Sequence, residues 1–309
     1  MLNAVTRARL RQQVGYVLSN FSSVNKFELT YNGSVVGEDA PTGFQEAPMS
    51  PEISKRVVGL EDGKLVIRED YLSQQPETTG TESVTDASDP AINYDGTALA
   101  CLGDTGRSLY FFSGGKGQYL VKNKKMTAPS FDSFGWLWVA ESDGAVRAYN
   151  AASTNEKERS KGIEIPVSWR SGMTFSSLRI SHDGARVVVV GTRDGTAAVV
   201  MSGVVRDSSG TPKGFTEPVW VTSSITPRTA VWAGEQNLVV VNDKTGESEV
   251  TTLSGEETKF DRLDGVKSVS AAGNTSNMLA HRSDGSCYVL EERGWNRLNT
   301  STREMSFAG

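Results

Sequence analysis

The first 36 residues change from a helical to a strand-like spacing of apolar positions. Residues 2–21 predict one amphipathic helix, because its apolar residues recur on one face. These residues are Leu10, Val14, Val17, Leu18 and Phe21. Residues 24–31 then alternate between apolar and polar, and Asn32-Gly33 is a hairpin signal. One helix and one hairpin cannot bury both apolar faces, so residues 1–36 are interpreted as the C-terminal remnant of a larger α+β domain.

From about residue 55 the chain consists of short apolar runs that end in turn residues, after a proline-containing linker at 37–54. The runs are rich in β-branched and aromatic residues, as in RVVVVG, LYFF and LWVA. Seven Asp-Gly pairs punctuate them, at 62–63, 95–96, 143–144, 183–184, 194–195, 264–265 and 284–285. The pairs predict hairpins with type I′ turns.

The strand-like runs repeat. Five candidate inner strands align, at Pro90–Asn93, Pro129–Asp132, Ser177–Ile180, Arg228–Trp232 and Val266–Ser270. They begin 39, 48, 51 and 38 residues apart, and the two long gaps contain polar insertions at 153–162 and 206–214. Without the insertions the period is about 40 residues, which is typical of a β-propeller. The sequence therefore predicts an all-β propeller over 55–309.

The number of blades depends on how the ring closes. Five units are countable, and residues 55–72 form a hairpin that lacks an inner strand. The last residues, TREMSFAG, could supply that strand, since propellers close the ring with strands from both chain ends. Six blades are favoured and five remain an alternative. Residues 73–89 are almost free of apolar side chains and are interpreted as a loop or a frayed outer strand.

Composition and charge narrow the function. The net charge is −5 and no basic patch is visible, which argues against nucleic-acid binding. The two cysteines, Cys101 and Cys287, lie in apolar runs and are interpreted as small buried side chains, with a disulfide as the alternative. No CxxC pair occurs and the chain has two histidines, His182 and His281, so no metal or other cofactor is predicted.

The sequence contains little that suggests catalysis. There is no G-x-S-x-G elbow, and both histidines are interpreted as loop or strand-end residues. Most acidic residues belong to turns, where they accept backbone hydrogen bonds. We therefore expect no enzyme, and a hydrolase is kept as the least favoured class.

Six residues are candidates for lining the channel or binding a partner. Asp132, Trp136 and Trp138 belong to an aromatic-rich stretch, and Arg170, Arg179 and Arg228 are expected near inner strands. The alternatives are that the aromatic residues pack between blades and that the arginines form internal ion pairs.

Three stretches carry a family resemblance: APSFDSFGWLWVAESDG at 128–144, residues 176–210 with SSLRISHDG, and the ending at 286–309. Together they resemble the propeller domain of the actinobacterial lipoprotein LpqB family, and residues 1–36 resemble the end of its GerMN domain. The resemblance implies a protein that is lipid-anchored on the outer face of the plasma membrane. It also implies association with the two-component system MtrA–MtrB.

The function expected from this resemblance is that of a non-catalytic accessory protein. It would bind the extracellular sensor region of the histidine kinase MtrB and influence cell-wall and division signalling. Neither cysteine lies in a lipobox, so the lipid anchor is expected in the full-length parent. The alternative is a sensor that binds a cell-wall fragment or another small ligand in the channel mouth.

Overall fold

The structure is a computed structural model, and it describes residues 3–19, 23–36, 41–42, 55–73, 75–79, 82–221, 223–253, 255–292 and 294–309. The chain divides into two compact units, Met1–Glu52 and Ile53–Gly309. Most of the predicted linker lies outside the described residues. No helix in the described ranges is both long and apolar enough to cross a bilayer.

The first unit contains one helix and one short hairpin. Helix α1 spans Ala4–Ser19, and the hairpin pairs β1 (Thr30–Tyr31) with β2 (Ser34–Val35). Asn3 caps the helix by accepting a hydrogen bond from the Thr6 amide at 2.8 Å. On the predicted apolar face Leu10 and Val17 remain exposed, and Phe21 lies outside the described residues. The assignment of this unit to a GerMN-like domain stays a prediction.

The second unit is a ring of six antiparallel sheets, here called blades and numbered along the chain. Three strands near its start belong to blade 6: β3 (Val57–Glu61), β4 (Lys64–Arg68) and β5 (Glu77–Thr78). Blade 1 follows with β6 (Ser88–Ile92), β7 (Ala98–Gly103), β8 (Ser108–Ser113) and β9 (Lys116–Val121). Blade 2 contains β10 (Ser130–Phe131), β11 (Trp136–Ala140), β12 (Val146–Asn150), helix α2 (Glu156–Lys161) and β13 (Ile163–Ile165).

Blade 3 has five strands: β14 (Met173–Ile180), β15 (Arg186–Arg193), β16 (Thr196–Arg206), β17 (Pro212–Phe215) and β18 (Val219–Val221). Blade 4 contains β19 (Pro227–Trp232), β20 (Asn237–Asn242), β21 (Ser248–Thr252) and β22 (Glu257–Lys259). Blade 5 contains β23 (Val266–Ala271), β24 (Met278–Arg282), β25 (Cys287–Glu291) and β26 (Gly294–Arg297). The last strand, β27 (Arg303–Phe307), pairs with β3 and completes blade 6.

The ring is closed by this last pairing, with Phe307 opposite Val57. The prediction that the chain end supplies the missing inner strand is therefore confirmed, and so is the count of six blades. The six inner strands β6, β10, β14, β19, β23 and β27 contact one another in sequence around the ring, and β27 contacts β6. Each blade therefore packs against a blade on either side, while the outermost strand of each sheet keeps one short edge without a paired strand among the described residues.

The core consists of six layers, each between two adjacent blades. Successive residues of one strand enter different layers: Trp136, Trp138 and Ala140 pack toward blade 3, whereas Leu137 and Val139 pack toward blade 1. Runs such as WLWVA are continuously apolar because both faces of their strands are buried. The interpretation that members of this aromatic stretch pack between blades agrees with their position.

The two polar insertions are ordered. Residues 153–162 contain α2, which Asn155 caps by accepting amide hydrogen bonds from Lys157 and Glu158. In the second insertion β16 extends to Arg206 and pairs with β17, so a hairpin projects from blade 3. Both segments are too short and too polar to show a period in the sequence.

The Asp-Gly turns are of two kinds. At 62–63 and 194–195 both residues have positive φ, as a type I′ turn requires. At the other five only the glycine does, so the prediction of type I′ turns throughout is wrong. In four of these five turns, the aspartate Oδ1 accepts a hydrogen bond from the backbone amide of the second residue after it. These aspartates are Asp95, Asp143, Asp183 and Asp284. This side-chain bond favours a different turn from the same residue pair.

Candidate functional site

The beginnings of the inner strands surround one mouth of the central channel. A cavity of about 350 Å³ opens there, here called the front mouth, and it is lined by Asp89, Lys125, Ser176, Arg179, Arg228 and Lys267 among others. The ends of the same strands surround the rear mouth, with a cavity of about 60 Å³ that Tyr94, His182 and Trp232 help to line. The front-mouth cavity is large enough to accommodate a small ligand.

The inner strands carry β-bulges at the front mouth. The pairing register between the inner and second strands shifts in five of the six blades. The bulges lie at Asp89, Ser176, Arg228, Lys267 and Glu304. A bulge re-aims a side chain relative to the regular alternation of a strand. Asp89 and Glu304 also adopt positive φ, of 51° and 52°, a conformation that is sparsely populated by such residues.

An ion-paired cluster lies just below the front mouth. The Lys267 ammonium is 3.4 Å from Asp89 Oδ1 and 3.5 Å from Glu304 Oε2, and the Asp89 amide donates to Glu304 Oε2 at 2.9 Å. Burial acts to raise the pKa of Asp89, but the Lys267 ammonium, the hydrogen bond from Ser88 and the Arg179 guanidinium act against it, and the pKa stays below its usual range. The Asp89 carboxylate is therefore kept charged by a lysine that it shares with Glu304.

His281 of β24 faces the same cluster and is buried. One atom each of His281, Asp89 and Glu304 lie within 4.8 Å of one another, so these three residues could act as metal ligands. The Lys267 ammonium, however, already bridges the two carboxylates at a distance where it would repel a metal ion. His281 is the penultimate residue of β24, which agrees with the expectation of a loop or strand-end residue.

Burial lowers the pKa of His281 below its usual range, against the pull of the Glu304 and Asp89 carboxylates. The titration of His281 can be isolated by replacing the other histidine, since the His182→Gln variant keeps His281 as its single histidine. In the unfolded state a histidine side chain has a pKa of about 6.5. The unfolded state therefore takes up the proton first, and the His281 contribution is complete above that pH and declines as the pH falls toward the folded pKa. In this background we expect the free energy of unfolding to fall with a slope approaching about 1.4 kcal/mol per pH unit.

Urea denaturation of the His182→Gln variant between pH 7.5 and 5 measures this slope. The His182→Gln/His281→Gln variant is the matched control and should show a nearly flat profile until the carboxylates titrate. Equal slopes in the two variants would contradict a neutral, buried His281.

Arg179 of β14 lines both the front-mouth and the rear-mouth cavities, so it lies in the channel between the two mouths. Its Nη1 donates to the carbonyl oxygens of Ala128 and Pro129, at 2.8 and 3.1 Å. No carboxylate of the described residues forms an ion pair with it, and burial lowers the pKa of its guanidinium below the usual range. Arg179 is thus a buried cation held by backbone carbonyls.

Of the six candidate residues, Arg179 and Arg228 are brought together at the front mouth. Asp132 and Trp138 are instead buried side by side, with Trp138 Nε1 donating to Asp132 Oδ2 at 2.7 Å. Trp136 is buried in the same interblade layer as Trp138. Arg170 lies 3.7 Å from Glu164 of β13, the outermost strand of blade 2, rather than near an inner strand. Their roles in binding stay predictions.

The residues that the sequence did not single out are Asp89, Lys267, Glu304, Ser176 and Lys125. A signal for three of them existed in the repeats, since Asp89, Ser176 and Lys267 each lie within one residue of the start of an aligned inner strand. The repeats alone do not show that these side chains line the front mouth, because that orientation depends on the extra residue of each β-bulge. The regular alternation of a strand does not predict it.

A larger cleft of about 480 Å³ lies away from the channel, between blades 5 and 6. Arg68 lines it, but this side chain is already bonded to Glu61 at 2.9 Å and to Thr302 Oγ1 at 2.6 Å. Of the two arginines that line this cleft, Arg68 is thus engaged within the protein, whereas Arg297 forms no ion pair among the described residues.

The two cysteines are buried and free, as interpreted from the sequence. Burial raises the pKa of the Cys101 thiol to about 12 and that of Cys287 to about 11. Both are therefore neutral thiols at physiological pH and not activated nucleophiles.

The ring and its polar channel define the class of protein as a six-bladed β-propeller. Residues 63–305 match the family model described as "Lipoprotein LpqB beta-propeller domain". The chain therefore belongs to the LpqB β-propeller family.

Three relatives illustrate this membership and the fold. Lipoprotein LpqB of Streptomyces avermitilis is 26% identical over 171 residues, a match that covers 50% of this chain and 27% of that protein. The match thus spans about a quarter of that relative's length. TolB from Acinetobacter baumannii superposes with a TM-score of 0.60 at 16% identity, covering 83% of this chain and 67% of TolB. A chain of a nidogen/laminin complex gives a TM-score of 0.53 at 10% identity, covering 82% of this chain and 98% of the other. The two solved structures show likeness of fold alone.

Proposed function

We propose that this chain is the propeller part of a non-catalytic accessory lipoprotein at the extracellular face of the plasma membrane. In the full-length parent a lipid anchor would hold it there. Membership of the LpqB propeller family is the observation that carries this proposal. Its partner would be the extracellular sensor region of a two-component histidine kinase of the MtrB type, through which it would modulate cell-wall and division signalling. The family resemblance supports this partner.

A non-catalytic role is supported by the state of the reactive groups near the channel. The Asp89 and Glu304 carboxylates share the Lys267 ammonium, and the cavity that both residues line has a volume of only about 10 Å³; Asp89 also lines the front mouth, but Glu304 does not. Such a cavity holds about one water molecule and leaves no room for a sugar ring between the carboxylates. The paired acids thus lack the space that glycoside hydrolysis needs.

The propeller architecture suits a binding role for a physical reason. Six interblade layers fix the strands, so the loops at either mouth project from a rigid frame. Binding to a preformed surface loses little conformational entropy, which favours recognition of another folded domain.

The test is direct binding between the purified chain and the extracellular domain of the kinase, measured by biolayer interferometry. We expect saturable binding with a Kd of roughly 10 µM or tighter, as for a specific protein interface. The extracellular domain of an unrelated histidine kinase is the control. Absence of binding at about 100 µM, or equal binding to the control domain, would overturn the proposed partner.

A second candidate function is a sensor that binds a small ligand, such as a cell-wall fragment. The observation that favours it is the polar cavity at the front mouth, with its unequal distribution of charge. Soaking crystals with muropeptide fragments tests it: ordered density in the front mouth would support it, and density confined to other surfaces would not.

A further inference from the structure

The front mouth has the opposite charge to the protein as a whole. The chain carries a net charge of −5, yet four cationic side chains line the front mouth with one carboxylate, that of Asp89. The cations are Lys125, Arg179, Arg228 and Lys267. If the Glu304 carboxylate, which lies just below the front mouth, is counted with that of Asp89, two of the four positive charges are still not balanced by a negative charge. Charge of one sign in a concave site focuses the potential and attracts ligands of the opposite sign.

The excess belongs to particular side chains. Lys267 is matched by the Asp89 and Glu304 carboxylates, at 3.4 and 3.5 Å. Arg228 and Lys125, by contrast, have no carboxylate within 4.0 Å among the described residues. Ion pairs engage many of the other arginines, such as Arg68, Arg147, Arg186 and Arg206. Arg228 is half-buried, so its charge is partly removed from water without a counter-charge, which is unfavourable unless an anion is supplied.

The backbone directs Arg228 into the mouth. It is the extra residue of the β19 bulge, between Pro227, which pairs with Asn242, and Thr229, which pairs with Val241. The Ser176 hydroxyl donates to the Arg228 carbonyl at 2.9 Å and ties this bulge to that of the neighbouring blade. The guanidinium is thus attached to a backbone segment that is held in place from two blades.

Arg179 adds a second fixed cation at the base of the same cavity. Its guanidinium is buried and held by the Ala128 and Pro129 carbonyls without a carboxylate. Hydroxyl groups complete the lining, from Ser88, Thr127, Ser176, Ser177, Thr229 and Ser268. Guanidinium groups with surrounding hydroxyl donors are the usual partners of carboxylate and phosphate oxygens, because a planar fork matches two oxygens of one group.

We propose that the front mouth binds a small ligand through an oxyanion, a carboxylate or a phosphate, with Arg228 as the principal contact and Arg179 at its base. This deepens the sensor function, the second candidate above, and it does not depend on binding to the kinase. The volume of about 350 Å³ leaves space for a small ligand body beyond the charged group.

The experiment is isothermal titration of the purified chain with inorganic phosphate and, separately, with glutarate, at constant ionic strength in chloride. We expect saturable 1:1 binding of at least one probe and a weakening of its Kd by roughly tenfold or more in Arg228→Ala, the loss of a charge-assisted hydrogen-bond pair. Arg228→Lys keeps the charge without the fork and should bind with an intermediate Kd. Arg170→Ala is the matched control, because Arg170 pairs with Glu164 on the outer edge of blade 2, and it should bind like the unmodified chain.

Each outcome decides the proposal. Binding of phosphate alone or glutarate alone supports it and identifies the ligand class. No saturable binding of either probe overturns it, as does an unchanged Kd in Arg228→Ala. Lys125→Ala, at an exposed position, provides a second test should Arg228→Ala fold poorly, and it should weaken binding by a smaller factor. Kinase binding is measured in the same buffers, so that loss of one interaction is distinguishable from loss of the other.

Discussion

Asp132→Ala is expected to lower the free energy of unfolding of the propeller by about 3–5 kcal/mol, the usual loss when one partner of a buried ion pair is removed. Asp132 Oδ2 accepts hydrogen bonds from Arg206 Nη2 and Trp138 Nε1, each at 2.7 Å. Its Oδ1 accepts the Phe134 and Trp136 amides, each at 2.9 Å. Because the carboxylate is fully buried and the Arg206 side chain is 10% exposed, the substitution leaves a guanidinium and an indole donor without their partner.

Urea denaturation followed by tryptophan fluorescence measures this loss. Asp264→Ala is the matched control: its carboxylate pairs with Arg262 at the surface, and we expect little change in stability. Asp132→Asn should lie between the two, because the amide keeps one acceptor. A stability of Asp132→Ala close to that of the control would contradict the structural role assigned to Asp132 here.

Removal of residues 303–309 is expected to abolish cooperative folding of the propeller. The deletion takes away β27, which pairs with β3 and closes the ring. Met305 and Phe307 are buried in the layer between blades 5 and 6. Losing two such side chains costs roughly 5–10 kcal/mol from large-to-small substitution data, which is comparable with the whole stability of a domain. The backbone edge of β3 would also be left unpaired.

Circular dichroism melting and size-exclusion chromatography test the deletion, with Ser306→Ala as the control that keeps the strand and its backbone pairing. We expect no sharp melting transition and association through the open edge in the shortened chain. Ser306→Ala should melt close to the unmodified protein. A monomer with an unchanged transition would show that the ring does not need β27.

Much of the fold was predictable from local patterns. The five inner strands predicted by the repeat lie at observed inner strands, although β14 begins earlier, at Met173. The seven Asp-Gly pairs located turns correctly, while five of them adopt a backbone conformation other than type I′, in four cases with an aspartate side-chain bond that a dipeptide does not specify. Helix α2 was missed since its six residues are too few for a period and it buries none of them.

The front mouth was only partly predictable. Arg179 and Arg228 were expected near inner strands because they fall in aligned repeats. Asp89, Lys267 and Glu304 were not, because bulges in three separate blades bring them together across large distances in the sequence. Asp132 illustrates the converse: a carboxylate beside aromatic residues looked like part of a binding site, but Arg206, from another blade, helps to bury it.

The sequence by itself determined the blades: the period of about 40 residues, the apolar runs and the turn residues are local, and each blade follows from the alternation of a few strands. The tertiary structure alone decided which charges meet and which remain without a partner. The physical reason is that ion pairing and burial depend on distances between residues of different blades, and those distances exist only once β27 has paired with β3 and closed the ring.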